Sequence, residues 1–220
     1  KINGNYITIG AGTASMSAAR KAQIAGLSGL EFMAGIPGTA GGVLYMNAGA
    51  YGREIKDVFV CARAIDNLGK SHNINKNSIS FGYRCTNLSS KLVITEVTLR
   101  GEPSSPAKIK SEMQKIQKQR QISQPINTLT GGSTFKNPEG QKAWRLIENA
   151  QCRGLRYGEA MVSDLHLNFM INRGMATARD FESLGEEIRR RVFFSSGIKL
   201  QWEIERIGVR LGVSELSAQQ

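Results

Sequence analysis

Two stretches of small residues, Gly35-Ile-Pro-Gly-Thr-Ala-Gly-Gly42 and Asn47-Ala-Gly-Ala-Tyr-Gly52, follow one another closely and constrain the fold more than anything else in the chain. Glycine lacks the Cβ that holds a neighbour away, so the backbone at such positions can approach a ligand or another segment closely. One stretch by itself reads more readily as a tight structural turn than as a ligand site. Two in succession read as the wall of a flat cofactor site. Neither contains GxxxxGK[ST] or GxGxxG, which removes a P-loop and a Rossmann turn from consideration.

Around this wall the first hundred residues alternate strand-like runs with glycine turns. Tyr6 to Ile9 reads as a strand running into Gly10-Ala-Gly12, and Ala14 to Ala25 as a helix stopped by Gly26. Val58 to Ile65 and the β-branched run Leu92 to Leu99 are strands, with Asp66-Asn-Leu-Gly69 the turn after the first. A boundary is expected at Gly101-Glu-Pro-Ser-Ser-Pro106, where Pro106 opens a helix reaching about Gln121 with Ile109, Met113 and Ile116 on its buried stripe. The second half reads helix, strand, helix, strand. Gln141 to Ala150 offers Ala143, Leu146, Ile147 and Ala150 as an apolar face. Thr177 and Asp180 have capping-box spacing ahead of Phe181, Leu184, Ile188 and Val192, with Gly197 as the stop. Ile198 to Ile207 is expected as a strand, and the last dozen residues as a weakly held tail.

The net charge of +11 fits a nucleic acid, an anionic membrane or small polyanions such as nucleotides. Lys108, Lys110, Lys115, Lys118 and Arg120 lie on one predicted helix without interleaved aromatics, so a solvated face is favoured over a nucleic-acid surface. Three widely spaced cysteines without CxxC fit a reducing compartment rather than a disulfide framework. His72 and His166 are far apart, so no metal site is expected. No window is long and apolar enough for a membrane span. The chain starts Lys-Ile-Asn-Gly-Asn-Tyr, without initiator Met or leader, as a processed product or a fragment would.

Two further segments carry chemistry: Phe81-Gly-Tyr-Arg84, which offers a cation, and Gly131-Gly-Ser-Thr-Phe-Lys-Asn-Pro138, which offers a small hydroxyl among backbone donors. Together with the glycine wall they suit a reaction that builds negative charge beside a bound cofactor. Each residue also has a plainer reading: Arg84 as an ion-paired strand end, Ser133 as a turn or cap serine, and Glu203 as part of a solvated polar face with Glu205. Trp144 and Trp202 read as core, and His166 as a hydrogen-bonded structural histidine.

Gly29 to Gly42, Asn47 to Gly52, Tyr83-Arg84, Gln124-Pro125, Gly132 to Pro138, Gly154-Leu-Arg156 and Trp202-Glu-Ile204 closely resemble bacterial UDP-N-acetylenolpyruvoylglucosamine reductases, collinearly from about Gly10 to Gly208. The resemblance implies an α+β chain. Residues 1–101 would be the second lobe of a PCMH-type FAD-binding domain, 102–208 an α+β substrate-binding domain, and 209–220 a tail. Nothing matches the further N-terminal lobe with which such enzymes begin.

The reaction implied is reduction of UDP-N-acetylglucosamine enolpyruvate to UDP-N-acetylmuramate, with FAD and NADPH, in cytoplasmic peptidoglycan synthesis by a monomer. Gly35, Ile36, Pro37, Gly38, Thr39, Gly41, Gly42, Asn47, Gly49 and Ala50 would face the cofactor. Ser133 matches the proton donor to the enolate, Arg84 the arginine that stabilises it and Glu203 the third catalytic residue. Tyr83, Lys136 and Asn137 match contacts to the nucleotide-sugar. Cys85-Thr86-Asn87 departs from the Asp-Ser that members often carry. Two alternatives stand beside this reading: a non-catalytic fragment that binds only the UDP-sugar, and a basic nucleic-acid-binding protein.

Overall fold

The computed structural model describes residues 1–208, so the expected tail at 209–220 lies outside the described residues. Two compact units are formed, Lys1–Ser123 and the residues from Gln124 onward.

In the first unit, β1 (Ile2–Asn3) and β2 (Tyr6–Gly10) lead through α1 (Ser15–Ile24) and β3 (Leu27–Ser28) to a 3-10 turn at Glu31–Gly35 and α2 (Ala40–Tyr45). Then come β4 (Gly49–Ala50), β5 (Arg53–Glu54), β6 (Phe59–Ile65), β7 (Ser71–Asn75), β8 (Phe81–Gly82), β9 (Cys85–Thr86), β10 (Val93–Arg100) and β11 (Glu102–Pro103). The unit closes with α3 (Pro106–Ser123). Its main sheet is antiparallel in the order β1-β2-β10-β6-β7. Alternation along β10 turns Val97 and Leu99 into the core, opposite Ala62 and Phe59 of β6.

Helix α3 starts at Pro106, as the missing N–H of proline allows. It buries Ile109, Met113 and Ile116, each contributing about 1.5–3 kcal/mol. Ile109 and Met113 join the same core as the sheet, so the geometric division falls after the helix, at Ser123, rather than before it at Gly101. Lys108, Lys110, Lys115 and Lys118 point outward, and Lys115 pairs with Glu112.

In the second unit β12 (Leu129–Ser133), α4 (Ala143–Asn149), β13 (Arg156–Tyr157), β14 (Ala160–Val162), β15 (Phe169–Asn172) and α5 (Ala178–Ser196) follow in order. The antiparallel sheet runs β12-β15-β14-β13. Helix α5 is opened by a full Thr177–Asp180 capping box and stopped by Gly197 at φ 72°. Its Leu184, Ile188 and Val192 pack with Ala143, Leu146 and Ile147 of α4.

The strand expected over Ile198–Ile207 does not form. Trp202 makes a single bridge to Phe135, and Leu200 is fully buried. The alternation has another cause: Leu200 and Trp202 pack into the core of this unit, without a sheet partner along their length.

Candidate active site

The glycines of the first small-residue stretch divide into two kinds. A Cβ on Gly35 would lie 2.7 Å from the Tyr51 ring and 3.0 Å from Ile116, and one on Gly41 would lie 3.0 Å from the Ala11 Cβ. One on Gly49 would lie 2.6 Å from the Arg53 carbonyl. Those three are glycine because the protein packs against itself there. Gly38 is different: its φ is 130° and nothing stands within 4 Å of a built Cβ.

The turn at Gly38 is fixed from behind, since Ser15 donates its N–H (2.9 Å) and hydroxyl (3.1 Å) to the Gly38 carbonyl. The first amides of α2 are already used: Ala40 N–H bonds the Thr13 carbonyl, Gly41 N–H the Ala11 carbonyl, and Gly42 N–H the Thr39 hydroxyl. The start of α2 therefore offers no ready set of phosphate donors. The surface that faces outward is the exposed rim Pro37-Gly38-Thr39, with Gly42 next to it and half-buried Ile36 behind.

Asn47 is fully buried, with φ 41°. Its Nδ2 donates to Glu54 Oε2 (3.0 Å) and to the Gly82 carbonyl (2.8 Å), and its Oδ1 accepts from the Lys56 N–H (3.2 Å). Its side-chain amide is thus engaged with protein on both its nitrogen and its oxygen. Through Gly82 it holds the hairpin β8–β9, whose two-residue loop is Tyr83-Arg84. Arg84 takes the left-handed conformation (φ 56°), lies 4.9 Å from the Tyr83 ring centroid and donates to the Gly49 carbonyl at 3.2 Å. Thr86 Oγ1 adds a bond to the Tyr45 carbonyl. Asn47 and Arg84 therefore join the arginine hairpin to the second small-residue stretch, and Thr86 joins it to the end of α2. Gly49 and Ala50 form β4, joined to β5 by Tyr51-Gly52 with positive φ at both, as a two-residue hairpin loop requires.

In the second unit Ser133 ends β12 beyond a bulge. Thr130 pairs with Ile171 and Ser133 with Phe169, so β12 holds one extra residue, and Gly132 takes φ 87° to accommodate it. Such bulges re-aim the side chain that follows. Ser133 is half-buried, and among the described residues its hydroxyl forms no hydrogen bond to protein.

The chain then runs beside the Leu200–Ile204 segment. Lys136 N–H donates to the Gln201 carbonyl (2.8 Å) and Glu203 N–H to the Thr134 carbonyl (2.9 Å). Ser133 and Glu203 are thereby brought within one register of each other on adjacent backbones. Glu203 is half-buried rather than part of an exposed face. Asn137 Oδ1 accepts from the Ala143 N–H at 3.0 Å, so part of this side chain serves the start of α4.

Thr134 is buried and its hydroxyl has no hydrogen-bond partner among the described residues. His166 sits edge-on to Phe169, its Nδ1 accepts from the Asn168 N–H, and burial lowers its pKa. A shallow groove of about 350 Å³ lined by Asn149, Ala150, Gln151, Arg190, Arg191 and Phe194 contains none of the candidate catalytic, cofactor or substrate residues. Among the described residues there is no cluster of three or more metal-ligating side chains, and no helix is long and apolar enough to cross a membrane.

Comparison with known proteins adds to this geometry. Residues 1–75 match the family model described as FAD binding domain, and residues 124–207 the one described as UDP-N-acetylenolpyruvoylglucosamine reductase, C-terminal domain. A UDP-N-acetylenolpyruvoylglucosamine reductase from Bradyrhizobium sp. (strain ORS 278) is 51% identical over 210 residues, covering 96% of this chain and 68% of the relative. The chain belongs to this reductase family. The reductase from Azorhizobium caulinodans is 50% identical, covering 94% of this chain and 68% of that protein. The crystal structure of the reductase from Thermus caldophilus matches with a TM-score of 0.80 at 32% identity, covering 93% of this chain and 73% of that one. The expected α+β class, with an FAD-binding domain followed by the C-terminal domain of the reductases, is met.

The sequence did not single out Glu54, which accepts from the Asn47 side chain. Asn47 alone carried a signal, since asparagine is the residue most tolerant of a left-handed backbone after glycine.

Proposed function

We propose that this chain carries out the reaction of its family, the reduction of UDP-N-acetylglucosamine enolpyruvate to UDP-N-acetylmuramate for peptidoglycan precursor synthesis in the cytoplasm. FAD, when bound, supplies the hydride chemistry, passing to the enolpyruvyl double bond what NADPH provides. The open Gly38 and the Pro37–Thr39 rim fit close approach of such a group, with Ile36 and Gly42 next to the rim along the chain and Ala50 in β4 the further cofactor residue proposed. Gly35, Gly41, Gly49 and Asn47 shape that wall from within.

Hydride addition leaves an enolate, so negative charge must be met and a proton supplied. The Arg84 guanidinium, steadied by the Gly49 carbonyl and the Tyr83 ring, is suited to engage the substrate carboxylate and the charge developing on it. The Ser133 hydroxyl donates the proton to the enolate carbon; a weak acid, it depends on fixed geometry, which the Gly132 bulge supports. Glu203, half-buried and at the position of the family's third catalytic residue, is suited to help stabilise the developing charge. Lys136 and Tyr83 suit the diphosphate and sugar, with Asn137 holding the start of α4 beside Lys136.

The observation that carries this reading is Ser133 on its glycine bulge, next to Thr134, whose carbonyl accepts from the Glu203 N–H inside the segment that matches the reductase C-terminal domain. The test is titration of the purified chain with FAD, followed by flavin absorbance. Stoichiometric binding, bleaching by NADPH and reoxidation by the enolpyruvyl sugar are expected. Binding of the UDP-sugar without any flavin would instead support a chain that only holds the sugar.

A further inference from the structure

Glu203 lies on a segment that secondary structure hardly holds: between Ile198 and Gly208 a single residue, Trp202, forms a bridge. Beyond the backbone bonds of Gln201 and Glu203 to Lys136 and Thr134, its geometry comes from a helix. Helix α5 meets the segment with three consecutive contacts on one face. Gly185 lets the Trp202 ring lie directly on the helix, since a Cβ there would fall 2.0, 2.5 and 3.1 Å from three ring carbons. Glu186 Oε1 accepts the indole N–H at 2.9 Å. Arg189 Nε donates to the Leu200 carbonyl at 2.9 Å, and its guanidinium is paired with the other oxygen of Glu186.

Phe135 also packs against the ring, at 5.1 Å between centroids, and Arg206 lies 4.8 Å from its centroid and 3.7 Å from Glu186. A glycine inside a helix costs about 1 kcal/mol relative to alanine. Here that cost has a specific return, the seat of the residue immediately before Glu203.

We propose that Gly185, Glu186 and Arg189 form a cradle on α5 that positions Glu203 for the reaction, acting through Trp202 and Leu200. This rests on the role given to Glu203 above. The helix itself is a firm base: its capping box and αL stop fix both ends, and Leu184, Ile188 and Val192 fix its inner face. The cradle residues touch neither Ser133 nor the reacting atoms, so they are positioning residues rather than catalytic ones. Their loss should change turnover with little change in sugar binding.

The test uses steady-state NADPH oxidation by the flavin-loaded protein, read as kcat and as KM for the enolpyruvyl sugar. Glu203→Gln is measured first; full turnover in that variant sinks the role of Glu203 and with it the cradle. Given a slowed Glu203→Gln, Gly185→Ala and Glu186→Ala are each expected to lower kcat about tenfold with KM within twofold. Neither should slow Glu203→Gln further, because contacts that act through one group do not add. Glu186→Gln, which keeps the acceptor for the indole, should restore most of the rate. The Trp202 indole N–H resonance, assigned by its loss in Trp202→Phe, should shift in Glu186→Ala and stay near its place in Glu186→Gln. Additive losses in the Glu203→Gln background, or unchanged kcat with a displaced indole resonance, would overturn the proposal. Should Gly185→Ala not fold, the Glu186 pair decides alone.

Discussion

Replacing Asn47 by alanine removes the side chain that joins the second small-residue stretch to the arginine hairpin. Three hydrogen bonds of 2.8, 3.0 and 3.2 Å disappear from a fully buried position, and the Lys56 amide loses its acceptor. At about 1 kcal/mol net for each, the bonds come to roughly 3 kcal/mol. Alanine at the φ of 41° found here adds about 1 kcal/mol of backbone strain. A loss near 4 kcal/mol is a large share of the 5–15 kcal/mol that roughly bounds a domain. With an m-value of about 2 kcal/mol/M, the urea midpoint should fall by about 2 M. Urea unfolding followed by circular dichroism measures this, and at sub-denaturing urea turnover should fall further than the folded fraction, since Arg84 is released. A midpoint within 0.5 M of the unaltered protein (roughly 1 kcal/mol at that m-value), with full turnover, would refute the assignment of Asn47 as the hairpin's anchor.

Gly49→Ala and Gly38→Ala should separate packing from ligand approach: the first drives a Cβ to 2.6 Å from a carbonyl and destabilises the fold, while the second, in open space, weakens FAD binding more than it lowers Tm. Thr134→Val removes a buried hydroxyl without a partner among the described residues and should leave stability equal or raise it by about 1 kcal/mol, read by urea unfolding. Glu187 is held at a pKa of about 2, chiefly by its hydrogen bonds to Arg190 and Arg191. Its folded value lies below the unfolded one, so its contribution is complete above about pH 4.5 and lost as pH falls toward 2. Because the site is largely open to solvent, Glu187→Gln should cost no more than about 1 kcal/mol at pH 7, with the gap closing in acid. Burial pushes the Cys152 thiol up, so a maleimide should label exposed Cys85 first and reach Cys152 only on unfolding, as peptide mapping would show.

Long elements with strong end signals were legible in the sequence. Pro106 and the stripe Ile109, Met113, Ile116 announced α3, and the Thr177–Asp180 box with Gly197 announced α5. The sheet of the second unit was not, for physical reasons. Arg156–Tyr157 is too short to show a period, and Ala160–Val162 is buried at every residue, so its faces do not differ in polarity. Ile198–Ile207 had the right alternation for a strand, but its apolar side packs without a sheet partner, and composition does not distinguish the two.

The candidate site was legible as motifs and not as geometry. Glycine in the sequence says that a Cβ is unwelcome without saying what excludes it. For Gly35, Gly41 and Gly49 the neighbour is the protein, and for Gly38 it is open space. The resemblance places Asn47 at the cofactor wall, but the residues it bonds, Glu54, Lys56 and Gly82, come together only in the fold.

The most direct measurement is anaerobic single-turnover reoxidation of the NADPH-reduced, flavin-loaded protein by the enolpyruvyl sugar, comparing Ser133→Ala with the unaltered chain. If Ser133 supplies the proton, the variant binds FAD and is bleached by NADPH as before, while its reoxidation by the sugar slows at least a hundredfold, about 2.7 kcal/mol in barrier. Reoxidation at the unaltered rate would contradict that role and remove the chemical basis for placing the reaction at the Gly132–Ser133 bulge.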